Sequence, residues 1–204
     1  MKDHILLSNS FAFLAECFCF PSQEQIDFLS NFEHQVYEDV LALKEALKNE
    51  DALELQRDFS KLFVGPFDLQ ASPYGSVYLE QEKSLFGEST EDVVRFYQEE
   101  NLDIKSNNVP DYIGLELEFI YYLQGRKIEL LHDGLVDKSL EYAKKQKNFM
   151  QNHICLWVDK FSAKLYSNAQ TSFFRNLGTL LPRQIKHLIT KVQNDLNNST
   201  IHAN

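Results

Sequence analysis

The chain has 204 residues, a length that suits a single domain able to bury a core of its own. Its 30 acidic against 20 basic residues leave a formal net charge of −10, which disfavours nucleic acid and anionic lipid as partners and draws cationic ones. Only 7 Gly and 5 Pro stand against 16 Phe and 9 Tyr, so long helices packed through bulky side chains are expected.

The N-terminus has an acid at Asp3 and polar breaks at Ser8, Asn9 and Ser10, which reads as neither a secretory signal nor a membrane anchor. No stretch reaches the roughly 18 uncharged apolar residues of a spanning helix, so the expectation is a cytoplasmic protein without stable membrane insertion. Cys17, Cys19 and Cys155 sit in apolar surroundings without the second pair that a zinc site needs, and are expected to be buried thiols.

From Ile5 to Phe20, Leu7, Phe11, Leu14 and Phe18 recur at helical spacing, and Pro21-Ser22 ends the run. Ser22 is placed to cap a short second helix through Leu29, with Gln25 completing a capping box. Val36, Val40, Leu43 and Leu47 mark a third helical face. Asp51 opens a fourth helix carrying Leu55, Phe59, Leu62 and Phe63, stopped by Gly65-Pro66. Residues 67–87 are irregular, with Pro73 and Gly75 marking a loop that enters a short helix near Ser76. Tyr74, Tyr78 and Phe86 in that loop either pin it to the core or present a binding face.

A central helix is expected from about Val109 to Leu123. Pro110 suits its first turn and Asp111 its N-terminal cap. The segment is apolar nearly all round, as in a helix buried among helices. At about 100° per residue, Asp111, Leu115 and Glu118 share one line, and Tyr112, Glu116 and Leu123 another. Such carboxylates either cap and cross-link neighbouring helices or line a groove that receives a basic ligand. Gly125-Arg126 and Asp133-Gly134 punctuate the chain beyond this helix. A lysine-rich helix runs from Leu135 to about Asn152, and His153, Trp157 and Phe161 then share one face, with His153 expected in the core. Thr171-Ser172 caps the run Phe173 to Leu181, Pro182 starts a last helix carrying Ile185, Leu188, Val192 and Leu196, and the tail from Asn197 to Thr200 frays. The expected fold is therefore all-α, one compact bundle of about ten helices spanning residues 1–204.

Three stretches together carry a family resemblance. The first comprises Asp58 to Pro66, Ala71 to Leu79 and Leu85-Phe86-Gly87; the second is Pro110-Asp111-Tyr112-Ile113-Gly114-Leu115-Glu116-Leu117-Glu118-Phe119; the third is Phe149 to Trp157 with Phe161 and Leu165. In this order they resemble the TorD/DmsD family of cytoplasmic chaperones for molybdenum-cofactor oxidoreductases that carry twin-arginine export signals. Val109 and Tyr112 stand where that family commonly has Glu and His, so of its Asp-His pair only Asp111 carries over. The resemblance implies a binding protein with no catalytic residues, no cofactor and no metal of its own. Its partners would be a twin-arginine signal peptide and the catalytic subunit of a molybdenum oxidoreductase, and it would exist as a monomer or an exchanged-helix dimer. Two guanidiniums followed by an apolar stretch call for an acidic rim around an aromatic groove. Asp111 with Glu116 or Glu118 are the expected rim; Tyr74, Tyr78 and Phe86 the groove; Ser76 fixes the loop, and Pro110 and Tyr112 complete the motif.

Two alternatives bound this reading. One is the related nitrate reductase assembly branch, whose client is not exported. The other is a helical metal-carboxylate enzyme, but Glu129-Leu130-Leu131-His132 is the single Glu-x-x-His in the chain, and a di-iron bundle needs two. The chain has no Walker sequence and no other phosphate-cradling loop for a guanine nucleotide.

Overall fold

A computed structural model describes residues 1–65, 69–80, 86–104 and 108–202, with side chains up to residue 198. Among these residues ten helices run in order: α1 (Lys2–Glu16), α2 (Gln23–Ser30), α3 (Glu38–Lys48), α4 (Ala52–Phe63), α5 (Ser76–Leu79), α6 (Glu88–Glu99), α7 (Ile113–His132), α8 (Val136–Asn152), α9 (Ile154–Asn168) and α10 (Ser172–His202). Among the described residues there is no strand, only one isolated antiparallel bridge between Tyr74 and Tyr112. Pro66 and Leu85, which belong to the motifs named above, lie outside the described residues.

Ser22 and Asp51 cap their helices as expected, but Gln25 completes no capping box: its side chain donates to the Glu16 carbonyl and carboxylate at 3.0 and 2.9 Å, and the Ser22 amide turns to the Phe20 carbonyl. Ser22 accepts from the Gln25 amide at 3.2 Å, and Asp51 Oδ1 accepts from Leu53 and Glu54 at 2.9 and 3.1 Å. α7 is the spine, packing α1 on one side and α8 on the other. Its faces bury Ile113, Leu117, Phe119, Ile120 and Leu123, which explains the nearly continuous apolar sequence. Phe18, Phe63, Phe161 and Phe174 meet edge-on or tilted in the centre of the core, with Trp157 fully buried beside Phe161.

Several expectations are corrected. α7 runs straight through Gly125, where a side chain would meet open space. It ends at Gly134, whose φ of +74° only glycine adopts freely. There the Gly134 and Leu135 amides donate to Leu131 and Leu130 at 3.2 and 2.8 Å, a Schellman motif. α6 escaped the sequence reading because it buries only Thr90, Val93 and Tyr97 under a largely acidic surface. Pro182 begins no helix; it lies inside the continuous α10, because the apolar stripe from Phe173 to Val192 stays packed on both sides of it. That helix also runs through the tail expected to fray.

At the start of α10 the Thr171 carbonyl accepts from the Arg175 amide at 3.2 Å, and carboxylates from elsewhere in the chain take up the first amides. Glu50 Oε1 accepts from the Ser172 and Phe173 amides at 2.6 and 3.3 Å, and buried Asp58 accepts from the Gln170 and Thr171 amides at 2.9 and 2.7 Å. His153 is buried between the rings of Phe96 and Phe149 at the break between α8 and α9. Of the cysteines only Cys17 is buried; Cys155 is half-buried, and Cys19 is exposed because it lies beyond the end of α1.

Candidate functional site

The nine residues expected to bind a ligand come from two adjacent segments, and the structure explains why they adjoin. Residues 69–80 form a strap across the start of α7. The Ile113 amide donates to the Pro73 carbonyl at 2.8 Å and the Gly75 amide to the Asp111 carbonyl at 3.0 Å. Asp111, 1% exposed, adds a side-chain bond: its Oδ2 accepts from the Ser76 amide at 2.6 Å. Pro110 and Asp111 therefore lie before α7 rather than in its first turn and cap; Tyr112 holds the N-cap position, and the Asp111 carboxylate ties down α5 instead. Pro110 offers its carbonyl to the Tyr97 hydroxyl at 3.1 Å.

Glu116 is also 1% exposed. A Cβ on Gly75 would come within 2.9 Å of Trp157 Nε1 and 3.4 Å of Glu116 Oε1, so glycine is what lets the strap pass this close to the buried tryptophan and carboxyl. Burial first, and then the charge of Asp111, push the Glu116 carboxyl well above the ordinary carboxylate range, against a smaller pull from the Trp157 indole. Ser76 is fully buried. Tyr78 stacks on Trp157 with centroids 5.5 Å apart, donates to the Ser72 carbonyl at 2.9 Å, and lies under the Lys164 ammonium. Phe86 is 70% exposed with φ +67°, at the entry to α6.

Beside the strap lies a groove of about 1160 Å³. Pockets for small molecules span about 300–1,000 Å³, so this one has room for a peptide segment. Its walls are the end of α1, residues 28–34, residues 102–104 and the first half of α7. Of the nine expected residues it receives Tyr74, Tyr112 and Glu118; Asp111, Glu116, Ser76, Tyr78, Phe86 and Pro110 lie outside its lining. Tyr112 braces the floor, its hydroxyl donating to the Phe18 carbonyl and its ring 5.6 Å from that of Tyr74.

Sequence reading missed the other half of the groove: Glu16, Cys19, Phe20, Phe28, Phe32, Asp103 and Tyr121. One signal was legible for two of them, since Phe20 beside Pro21 and Phe28 in a short polar helix have no helical stripe to join. They are 52% and 48% exposed. Partial desolvation and the neighbouring Glu16 carboxylate push the Cys19 thiol up to about 12, which disfavours the thiolate. Among the described residues no cluster of three metal-ligating side chains forms. Glu129 pairs with Arg126, and His132 is exposed.

The sequence model of the nitrate reductase delta subunit family matches residues 30–163, from the end of α2 into α9. The chain belongs to that family. The match takes in the strap and the α7 wall of the groove, whereas Glu16 at the end of α1, and Cys19 and Phe20 just beyond it, precede it. Among named relatives, the chain is similar to the chaperone protein TorD of Vibrio atlanticus, 29% identical over 69% of this chain and 65% of the relative. It is also similar to the TorD of Aliivibrio fischeri, 28% identical over 82% of this chain and 80% of the relative. The chain thus spans just under two thirds of the length of the first of these relatives. A crystal structure of an Archaeoglobus fulgidus protein assigned to redox enzyme maturation superposes with a TM-score of 0.62 at 17% identity, covering 88% of this chain and 93% of the other, a likeness of fold.

Proposed function

We propose that this chain is a cytoplasmic maturation chaperone that binds the twin-arginine signal peptide, the cofactor-free catalytic subunit, or both, of a molybdenum oxidoreductase. It would hold the client until its cofactor is inserted and release it to export. The observation that carries this reading is the open groove between α1 and α7, walled by aromatic rings and edged by carboxylates. An extended signal with two guanidiniums and an apolar stretch is its complement in charge and polarity. Family membership and TorD relatives support the same reading. The work would be binding without bond-making, so the chain would be no enzyme.

Tyr74, Tyr112 and Glu118 would touch the ligand. Asp111, Glu116, Ser76 and Tyr78 would act one layer below, holding the strap that positions Tyr74. A second reading, a nitrate reductase assembly chaperone with a client that is not exported, is favoured by the description of the matching family.

Titration calorimetry against a panel of twin-arginine signal peptides, each beside a partner with both arginines replaced by glutamine, tests the proposal. Tight binding to one peptide, lost in its partner, is expected and would name the client. Binding to none, with capture of an isolated nitrate reductase catalytic subunit instead, would transfer the function to the second reading.

A further inference from the structure

The charge distribution inside the groove is more specific than an acidic surface requires. Among the described residues its lining contains no lysine and no arginine, although α1 and α7 each contribute a glutamate. Glu16 and Glu118 line the same groove, and partial desolvation, and then the charge of Glu16, hold the Glu118 carboxyl above its ordinary range. Neither forms an ion pair with a described residue. Glu16 accepts instead from the Gln25 amide group at 2.9 Å and from the Cys19 thiol at 3.7 Å. The negative end of α1 lies at the same place, with no basic residue in its last turn. A half-buried and an exposed carboxylate and a helix C-terminus thus converge on one stretch of an aromatic groove with no lysine or arginine among its described lining residues.

We propose that Glu16 and Glu118 together seat the guanidinium pair of a docked peptide, with the peptide's adjoining apolar side chains on Phe20 and Phe28. The inference rests on the groove being the signal-peptide site, and adds which residues read the arginines. Phe20 follows Glu16 by four positions, and α2, which carries Phe28, reaches Glu16 through the Gln25 bond, so charged and apolar subsites are contiguous. A guanidinium suits this seat better than an ammonium. Its planar fork can bond two carboxylate oxygens at once and stack on the rings of Tyr112 and Tyr121, and it is the more weakly hydrated of the two cations.

The test is calorimetry of wild type and the Glu16→Gln/Glu118→Gln double variant against a twin-arginine peptide, its double-lysine form and its double-glutamine form. Glu141→Gln, on the exposed face of α8, serves as the control for lost surface charge. Wild type is expected to bind the arginine peptide at least tenfold more tightly than the glutamine peptide, with lysine between. The double variant should lose that preference while binding the glutamine peptide as wild type does, and Glu141→Gln should keep it. A double variant that retains the preference, or that weakens on both peptides equally, overturns the inference and leaves the function standing. A wild-type protein that binds no form of the peptide overturns both. The salt response of wild type is independent of how the variant folds: rising ionic strength should weaken the arginine complex and spare the glutamine one, and equal responses would overturn the assignment.

Discussion

The Asp111 carboxylate is held by the amide of Ser76, 35 positions earlier in the chain. A bond from a backbone N–H to a buried carboxylate contributes about 1.5–3 kcal/mol. Asp111→Ala should therefore lower stability by about 2 kcal/mol in urea denaturation, and unchanged stability would mean that the backbone bonds to Pro73 and Asp111 alone hold the strap. Glu116 makes a different prediction. Its folded-state pKa is raised, so the native state keeps a proton that the unfolded chain gives up from about pH 4.5. Its contribution is complete below that pH and is lost as pH rises through the folded value. Glu116→Gln keeps the shape without the proton, and should flatten the fall of stability with pH in that window. An equal slope in variant and wild type would place the titration elsewhere. Residue identity alone did not separate these two acids from Glu118: all three belong to the same motif, yet two lie under the strap and one faces the groove.

At the scale of elements, α9 and α10 pack through Gly178. A Cβ there would lie 2.9 Å from the Tyr166 amide nitrogen and 3.0 Å from the Ser162 carbonyl oxygen, both backbone atoms of α9 that cannot swing aside. Alanine would gain about 1 kcal/mol in helix propensity, against about 1–3 kcal/mol for overpacking. Gly178→Ala should thus lower stability by about 1 kcal/mol, read as a reduced urea midpoint; a higher midpoint would show that the two helices can separate at little cost. Helix existence was legible wherever an apolar stripe was long, as in α1, α4 and α7. Two boundary readings failed for one reason. Gly125 and Pro182 are breakers by intrinsic preference, but each lies in a helix whose packed stripe continues past it. Tertiary burial outweighs a local penalty of about 1–3 kcal/mol.

At the scale of the whole molecule, α1 is part of the core although the family match begins after it. Leu7, Phe11, Phe13 and Leu14 are fully buried, and Lys127 of α7 forms an ion pair with Asp195 of α10 at 2.5 Å beside His4. Deleting residues 1–22 would expose the α7 face that these rings cover and remove one wall of the groove. The shortened chain should lose its cooperative thermal transition in circular dichroism, and a sharp melt near that of the full chain would make α1 an appendage.

Sequence alone established the acidic charge, the all-helical class, the buried central helix and the caps at Ser22 and Asp51, because each depends on neighbours within a few positions along the chain. Which polar side chains face a ligand was settled by tertiary packing. A helical period states the angle at which Glu116 and Glu118 project, but not that the strap, Gly75 and Trp157 cover the first while the open groove receives the second. The turn after α1 and the short α2 bring Glu16, Phe20 and Phe28 to Glu118, a convergence of segments 90 to 102 positions apart. No local pattern encodes such a meeting; it exists because α1 lies along α7.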